Sequence, residues 1–160
     1  MSRVLARVLV ALVALGGCST ASGDDGDVRT AGIYEAALRW ALMEEGLQPT
    51  EDGDLPVVYV VASDGDPAPP EVQVEVVRNL MEEANLRFTD LRDDALQTDE
   101  EGQPVKDDGL LVLVGMVPAE GLLVDLAVGL YHSEEERRPF VLRLAGSGAR
   151  WNVTNAQPVE

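Results

Sequence analysis

Four apolar runs fill the last third of the chain: "GLLVLVGMV", "LLVDLAVGLYH", "RPFVLRLAG" and "ARWNVTNA". They are joined only by "PAEG", "SEEER" and "GSG". Links this short hold no crossover helix, so consecutive strands must turn back on one another as an antiparallel meander. Within the runs, Val124, Leu126, Val128 and Leu130 alternate with smaller or polar residues, as do Phe140, Leu142 and Leu144, then Trp151 and Val153. A period of two puts those residues on one face of a half-buried sheet. That face requires a second layer.

The second layer is supplied upstream. Thr30 is a candidate N-cap for a helix through "AGIYEAALRWALMEEG". Ile33, Ala37, Trp40, Ala41 and Glu44 share one face of it, and Tyr34, Leu38 and Leu42 lie alongside, making a wide apolar stripe. Gly46 is the natural stop. "LPVVYVVAS", bounded by Asp-Gly turns, reads as a buried strand. Residues 70–84 carry both periods: Val72, Val74 and Val76 alternate, while Val77, Leu80, Met81 and Ala84 continue at helical spacing. Pro70 and Glu71 make a helix start, and the segment is assigned as helix. "LRFTD" follows as a short strand, and residues 92–108 as a long acidic loop, the least ordered internal piece. The expected fold class is α+β: one or two N-terminal helices packed on a curved antiparallel sheet with a C-terminal four-stranded meander. Over Thr30 to Thr154 this plan resembles the cystatin-like and ketosteroid-isomerase-like cone domains, and small exported bacterial domains that end in a Trp-x-Val strand.

The chain start carries a different signal. Arg3 and Arg7 precede the uncharged apolar run Val8 to Leu15, which is too short for a spanning helix of about 20 residues. It fits the apolar region of an export signal. Leu15-Gly16-Gly17-Cys18 follows, and Cys18 is the only cysteine. This stretch resembles a bacterial lipobox. The resemblance implies removal of residues 1–17 as a signal peptide and a lipid on Cys18 that holds the protein at the outer face of the cell membrane. The following Ser19 is compatible with the outer membrane of a Gram-negative source. Residues 18–29 are then the lipidated cysteine and a flexible acidic tether, 30–155 the single globular domain and 156–160 a tail.

Charge narrows the partners. Twenty-nine acidic residues against twelve basic ones give a net charge of −17. That disfavours nucleic acid, whose phosphates demand basic patches. The sequence carries no phosphate-binding glycine loop, no Gly-x-Ser-x-Gly elbow, no Cys-x-x-Cys and no His-Glu-x-x-His. No catalytic, cofactor or metal residue is assigned, and no cofactor is expected. The leading expectation is a non-enzymatic cell-surface lipoprotein that binds a protein partner or a small ligand. A first alternative is a small cone-fold enzyme with a carboxylate and a tyrosine in one pocket, Asp125 with Tyr34 or Tyr59. A second is a calcium-binding module built on Asp25-Gly26-Asp27, Asp52-Gly53-Asp54 or Asp64-Gly65-Asp66, although Asp and Gly are also ordinary turn residues. The lone His132 reads as an exposed hairpin residue rather than a ligand beside Glu135. Asp125 reads as the partner of Arg143 across two strands on the solvent face, an ordinary cross-strand ion pair.

Overall fold

The computed structural model describes residues 25–63 and 66–159. The expected export signal, Cys18 and residues 19–24 of the expected tether lie outside them, as do Asp64 and Gly65 of the third Asp-Gly-Asp. The described chain is α+β. Helix α1 (Asp25–Glu44) leads to β1 (Val57–Ala62), α2 (Pro70–Leu80) and β2 (Asn85–Phe88). Strands β3 (Leu110–Val114), β4 (Leu123–Tyr131), β5 (Arg137–Ser147) and β6 (Arg150–Pro158) complete one six-stranded sheet in the order β2-β1-β3-β4-β5-β6.

The meander forms as its short links require: β3–β4, β4–β5 and β5–β6 are all antiparallel. The other half of the sheet departs from expectation. β1 pairs in parallel with both β2 and β3, so the sheet is mixed. The reason is the long connections: α2 carries the chain back between β1 and β2, and residues 89–109 carry it back between β2 and β3. A return of that length permits parallel pairing. Residues 70–80 are helical, with Pro70 at the first helical position where its missing N–H costs nothing.

Helix α1 starts earlier than expected. Asp25 to Arg29, assigned to the tether, form its first turns. Thr30 therefore sits inside the helix and its hydroxyl donates back to the Gly26 carbonyl at 2.8 Å, rather than capping. The other end stops where expected: Gly46 takes φ +64°, and the Leu47 N–H bonds the Leu42 carbonyl at 2.8 Å. At the C-terminal end, Ala156 to Pro158 continue β6 rather than forming a tail.

The helix layer buries Ile33, Ala37, Leu38 and Trp40 of α1 with Val72, Val76 and Leu80 of α2 against Val124, Leu126, Leu142 and Leu144. Trp40 meets Phe140 edge-on, with ring centroids 4.9 Å apart. Arg39 ties α1 to the end of α2, donating through Nη2 to the Asn79 carbonyl at 3.3 Å and through Nε to Glu83 just beyond at 3.0 Å, and pairs with Glu35 one turn back. The opposite face is covered over only part of its width. Tyr59, Val61, Leu111 and Tyr131 bury there under Ala95, Leu96 and Val105 from the 89–109 segment. The acidic loop is thus a packed cover, held by a Leu96–Val105 bridge and by the Gln97 N–H on the Pro104 carbonyl at 2.9 Å. β1 and β3, covered on both faces, read as continuous apolar runs, whereas β4 and β5 alternate because one face stays open.

Candidate functional site

Between the cover and the β1–β2 end of the sheet lies an open cleft of about 630 Å³. Register builds its floor. Tyr59 stands there beside Arg87 on β2, and the same row continues beneath the cover through Leu111 on β3 to Tyr131 on β4. The cover contributes Gln97, Lys106 and Asp107, together with Asp93 and Asp99.

Three side chains converge there. The Tyr59 hydroxyl donates to Asp107 Oδ2 at 2.9 Å and accepts from Arg87 Nη1 at 2.8 Å. Arg87 Nη1 also donates to Asp107 Oδ2, and its guanidinium lies 5.4 Å from the centre of the Tyr59 ring. Nε and Nη2 of Arg87 bond no protein acceptor among the described residues, so that edge of the fork is open. Burial, and then the bond to Asp107, raise the Tyr59 phenol above its ordinary value. Bonds from Tyr59 and from Arg87 hold the Asp107 carboxyl below its own. At neutral pH the cluster is a neutral phenol, a carboxylate and a guanidinium.

The backbone beneath it is unusual. Gln103, Asp107 and Asp108 take φ of 43°, 58° and 48°, a left-handed conformation that side chains other than glycine seldom adopt. Asp, like Asn, tolerates it better than most, and here the conformation accompanies the bond of Asp107 back to Tyr59. Lys106 secures the same turn by donating to the Asp94 carbonyl at 2.7 Å.

The structure separates the residues of the predicted Asp125 pocket. Asp125 lies directly across from Arg143 and receives two bonds from it, at 2.8 and 3.0 Å, with both side chains more than half exposed. Tyr34 is buried in the helix-side core, 6.2 Å from the Phe88 ring. Tyr59 shares the face of Asp125, but Asp125 is six positions from Tyr131 along β4, about 20 Å at 3.3 Å per residue. A tyrosine and a carboxylate do meet, yet the carboxylate is Asp107. His132 has a partner too: its Nε2 lies 3.0 Å from Glu45 Oε2, and Glu135 is not involved. Glu45 also accepts from Arg138. Asp52-Gly53-Asp54 forms a turn, with Gly53 at φ +88° and the Asp54 N–H on the Thr50 hydroxyl at 3.0 Å. Among the described residues no group of three or more His, Cys, Asp or Glu side chains is arranged to hold a metal ion.

Arg87 and Asp107 escaped the sequence reading. Arg87 reaches Tyr59 only through parallel pairing, and Asp107 only through the folding of the cover, both long-range facts. The local trace was Asp107-Asp108-Gly109, a turn signal directly before an apolar strand. Comparison of the chain with family models, with curated proteins and with solved structures finds no match in any of the three.

Proposed function

We propose that this chain is an exported lipoprotein, acylated on Cys18, whose domain binds a small polar ligand in the Tyr59–Arg87–Asp107 cleft without transforming it. One observation carries the binding reading. The cluster spends its phenol on Asp107 Oδ2 and on Nη1 of Arg87, and Asp107 takes both of its bonds through Oδ2, while the Nε–Nη2 edge of the guanidinium stays unspent in the cleft that Gln97 and Lys106 also line. A guanidinium edge with two parallel N–H groups matches a carboxylate. Asp93 and Asp99, which line the same cleft, match an ammonium or a hydroxyl donor. A small zwitterion of the amino-acid or dipeptide type satisfies both. Catalysis by proton transfer wants a group poised near the working pH. Here the phenol is pushed up and the carboxyl down, so both groups are held away from that range.

Titration with glycylglycine and with mixed free amino acids, followed by the melting temperature of the protein, tests the reading. A rise in the wild type that Arg87→Ala abolishes is expected, and an unmoved wild-type melt at millimolar ligand overturns it. Lipidation has its own assay: Cys18→Ala is expected to abolish incorporation of radioactive fatty acid in cells, and persistent labelling overturns the anchor.

A further inference from the structure

The described chain begins at one end of the sheet, and four exposed apolar side chains gather at that end. Helix α1 runs along the meander from one end to the other: its 20 residues span about 30 Å at 1.5 Å each. Its first turns stand against the β3–β4 connection, where Arg29 donates to the carbonyls of Pro118 and Gly121. They also stand against the β5–β6 turn, where Gly32 packs on the Ala149 backbone. Its last turn stands against the β4–β5 hairpin through Glu45, His132 and Arg138. The start of α1 therefore marks one end of the domain and the hairpin marks the other.

At the α1 start, Met116, Leu122 and Leu123 are 72%, 70% and 68% exposed, and Val28 is 41% exposed. Met116 and Leu122 lie on the connection that Arg29 grips, and Leu123 opens β4. Large apolar groups this exposed, on elements that meet at one end of the fold, mark a contact surface. Seven positions separate Cys18 from Asp25. Seven residues reach at most about 25 Å even when fully extended. A lipid on Cys18 therefore keeps this end within that distance of the bilayer.

We infer that the rim formed by Met116, Leu122, Leu123 and Val28 docks on the phospholipid surface and fixes the domain's orientation, with the β4–β5 hairpin turned outward. This rests on the acylation of Cys18 proposed above. Charge selects the lipid. The described charged residues at this end include Asp25, Asp27, Asp66, Glu120 and, just past β2, Asp90 against Arg29 and Arg150. Asp125, paired with Arg143, lies two positions along β4 from Leu123. Acidic groups predominate, so the fit is to zwitterionic headgroups and not to anionic ones. Met43 is just as exposed, but it sits on the last turn of α1 among Glu44, Glu82 and Glu83, at the far end.

The test uses the full chain, processed in bacterial cells and reconstituted into phosphatidylcholine–phosphatidylethanolamine vesicles. An environment-sensitive fluorophore is placed on Leu122→Cys, Met116→Cys or Met43→Cys, the native thiol being occupied by lipid. The expected result is blue-shifted emission at 122 and 116, quenched by lipids bearing a nitroxide near the headgroup, with water-like emission at 43. Vesicle-bound protein with water-like emission at all three positions overturns the docking and leaves the anchor standing. An equal response at 43 and 122 overturns the orientation. Protein that carries no lipid by mass spectrometry and does not float with vesicles overturns anchor and docking together.

Discussion

Tyr59 donates its phenolic hydrogen to Asp107 over 2.9 Å, across 48 positions of chain, and Arg87 from the neighbouring strand bonds both. The contact is the keystone between the sheet and its cover, because Asp107 sits where the cover turns into β3. It also sets a dependence on acid.

Asp107 is held below the ordinary carboxylate value of 3.8, first by the Tyr59 hydroxyl and then by Arg87. A group whose folded-state pKa is depressed stabilises the fold above its unfolded value, and that contribution vanishes as pH falls through the folded value. Asp107→Asn is expected to melt below the wild type at pH 7, with the gap closing as the pH drops below about 4. Thermal melts of both proteins from pH 7 to pH 2 measure it. Asp125 is depressed by Arg143 in the same way, and comparing two proteins that both keep Asp125 isolates the Asp107 share. A gap that is constant across that range overturns the assignment.

Thr30→Ala separates two roles for one hydroxyl. A threonine lost from an N-cap costs typically about 1 kcal/mol. Thr30 instead lies within α1 and bonds back to the Gly26 carbonyl, an arrangement that slightly weakens a helix. The substitution is expected to change stability by less than about 0.5 kcal/mol in urea denaturation. A loss near 1 kcal/mol would place the helix start at Thr30 after all.

What could be read ahead of the fold follows from the range of the interactions. Val124, Leu126, Val128 and Leu130 face the helices as their alternation requires, and Asp125 meets Arg143, because a tight hairpin fixes both register and neighbours. Gly46 ends α1 for a local steric reason. The parallel pairing of β1 was not legible, since nothing within its apolar run says which strands lie beside it. The cover was misread for a related cause: its acidic residues set its composition, while only Ala95, Leu96 and Val105 bury, too few to show a period. The cleft needs both the pairing and the cover, so Arg87 and Asp107 went unnoticed while Tyr59 was noticed for the wrong partner.

Gly32 is the point where α1 meets the β5–β6 turn. A methyl group there would lie 2.7 Å from the Ala149 carbonyl oxygen and 2.9 Å from the Trp151 ring. Backbone on one side and a buried indole on the other leave no cheap relief. Gly32→Ala is expected to destabilise by about 1–3 kcal/mol despite alanine's better helix propensity. A gain in stability would mean that α1 does not rest on that turn.

Glu45 holds the far end of α1 to the β4–β5 hairpin through His132 and Arg138, and only a tenth of its side chain is exposed. Two carboxylates, Glu44 and Glu45, sit at the helix C-terminus, where the helix dipole disfavours negative charge. The Arg138 guanidinium offsets that. A double-mutant cycle with Glu45→Ala and Arg138→Ala is expected to give a coupling of about 0.5–1 kcal/mol, weakened in high salt. Additive losses would show the pair to be incidental.

Leu142 and Val141 are neighbours in β5 that point to opposite faces, and the contrast between them measures which face holds the core. Leu142 is fully buried between α1 and the sheet, whereas Val141 is 36% exposed on the open face beside Ala127. Leu142→Ala removes buried methyl groups and leaves a cavity that close-packed neighbours fill only in part, so a loss of about 2–5 kcal/mol is expected. Val141→Ala is expected to cost less than about 1 kcal/mol, because much of its side chain already meets water. Urea denaturation of the two variants gives both numbers from one assay. Comparable losses would mean that something covers the open face of β4 and β5 in solution, and that the alternation along these strands marks two interfaces instead of one.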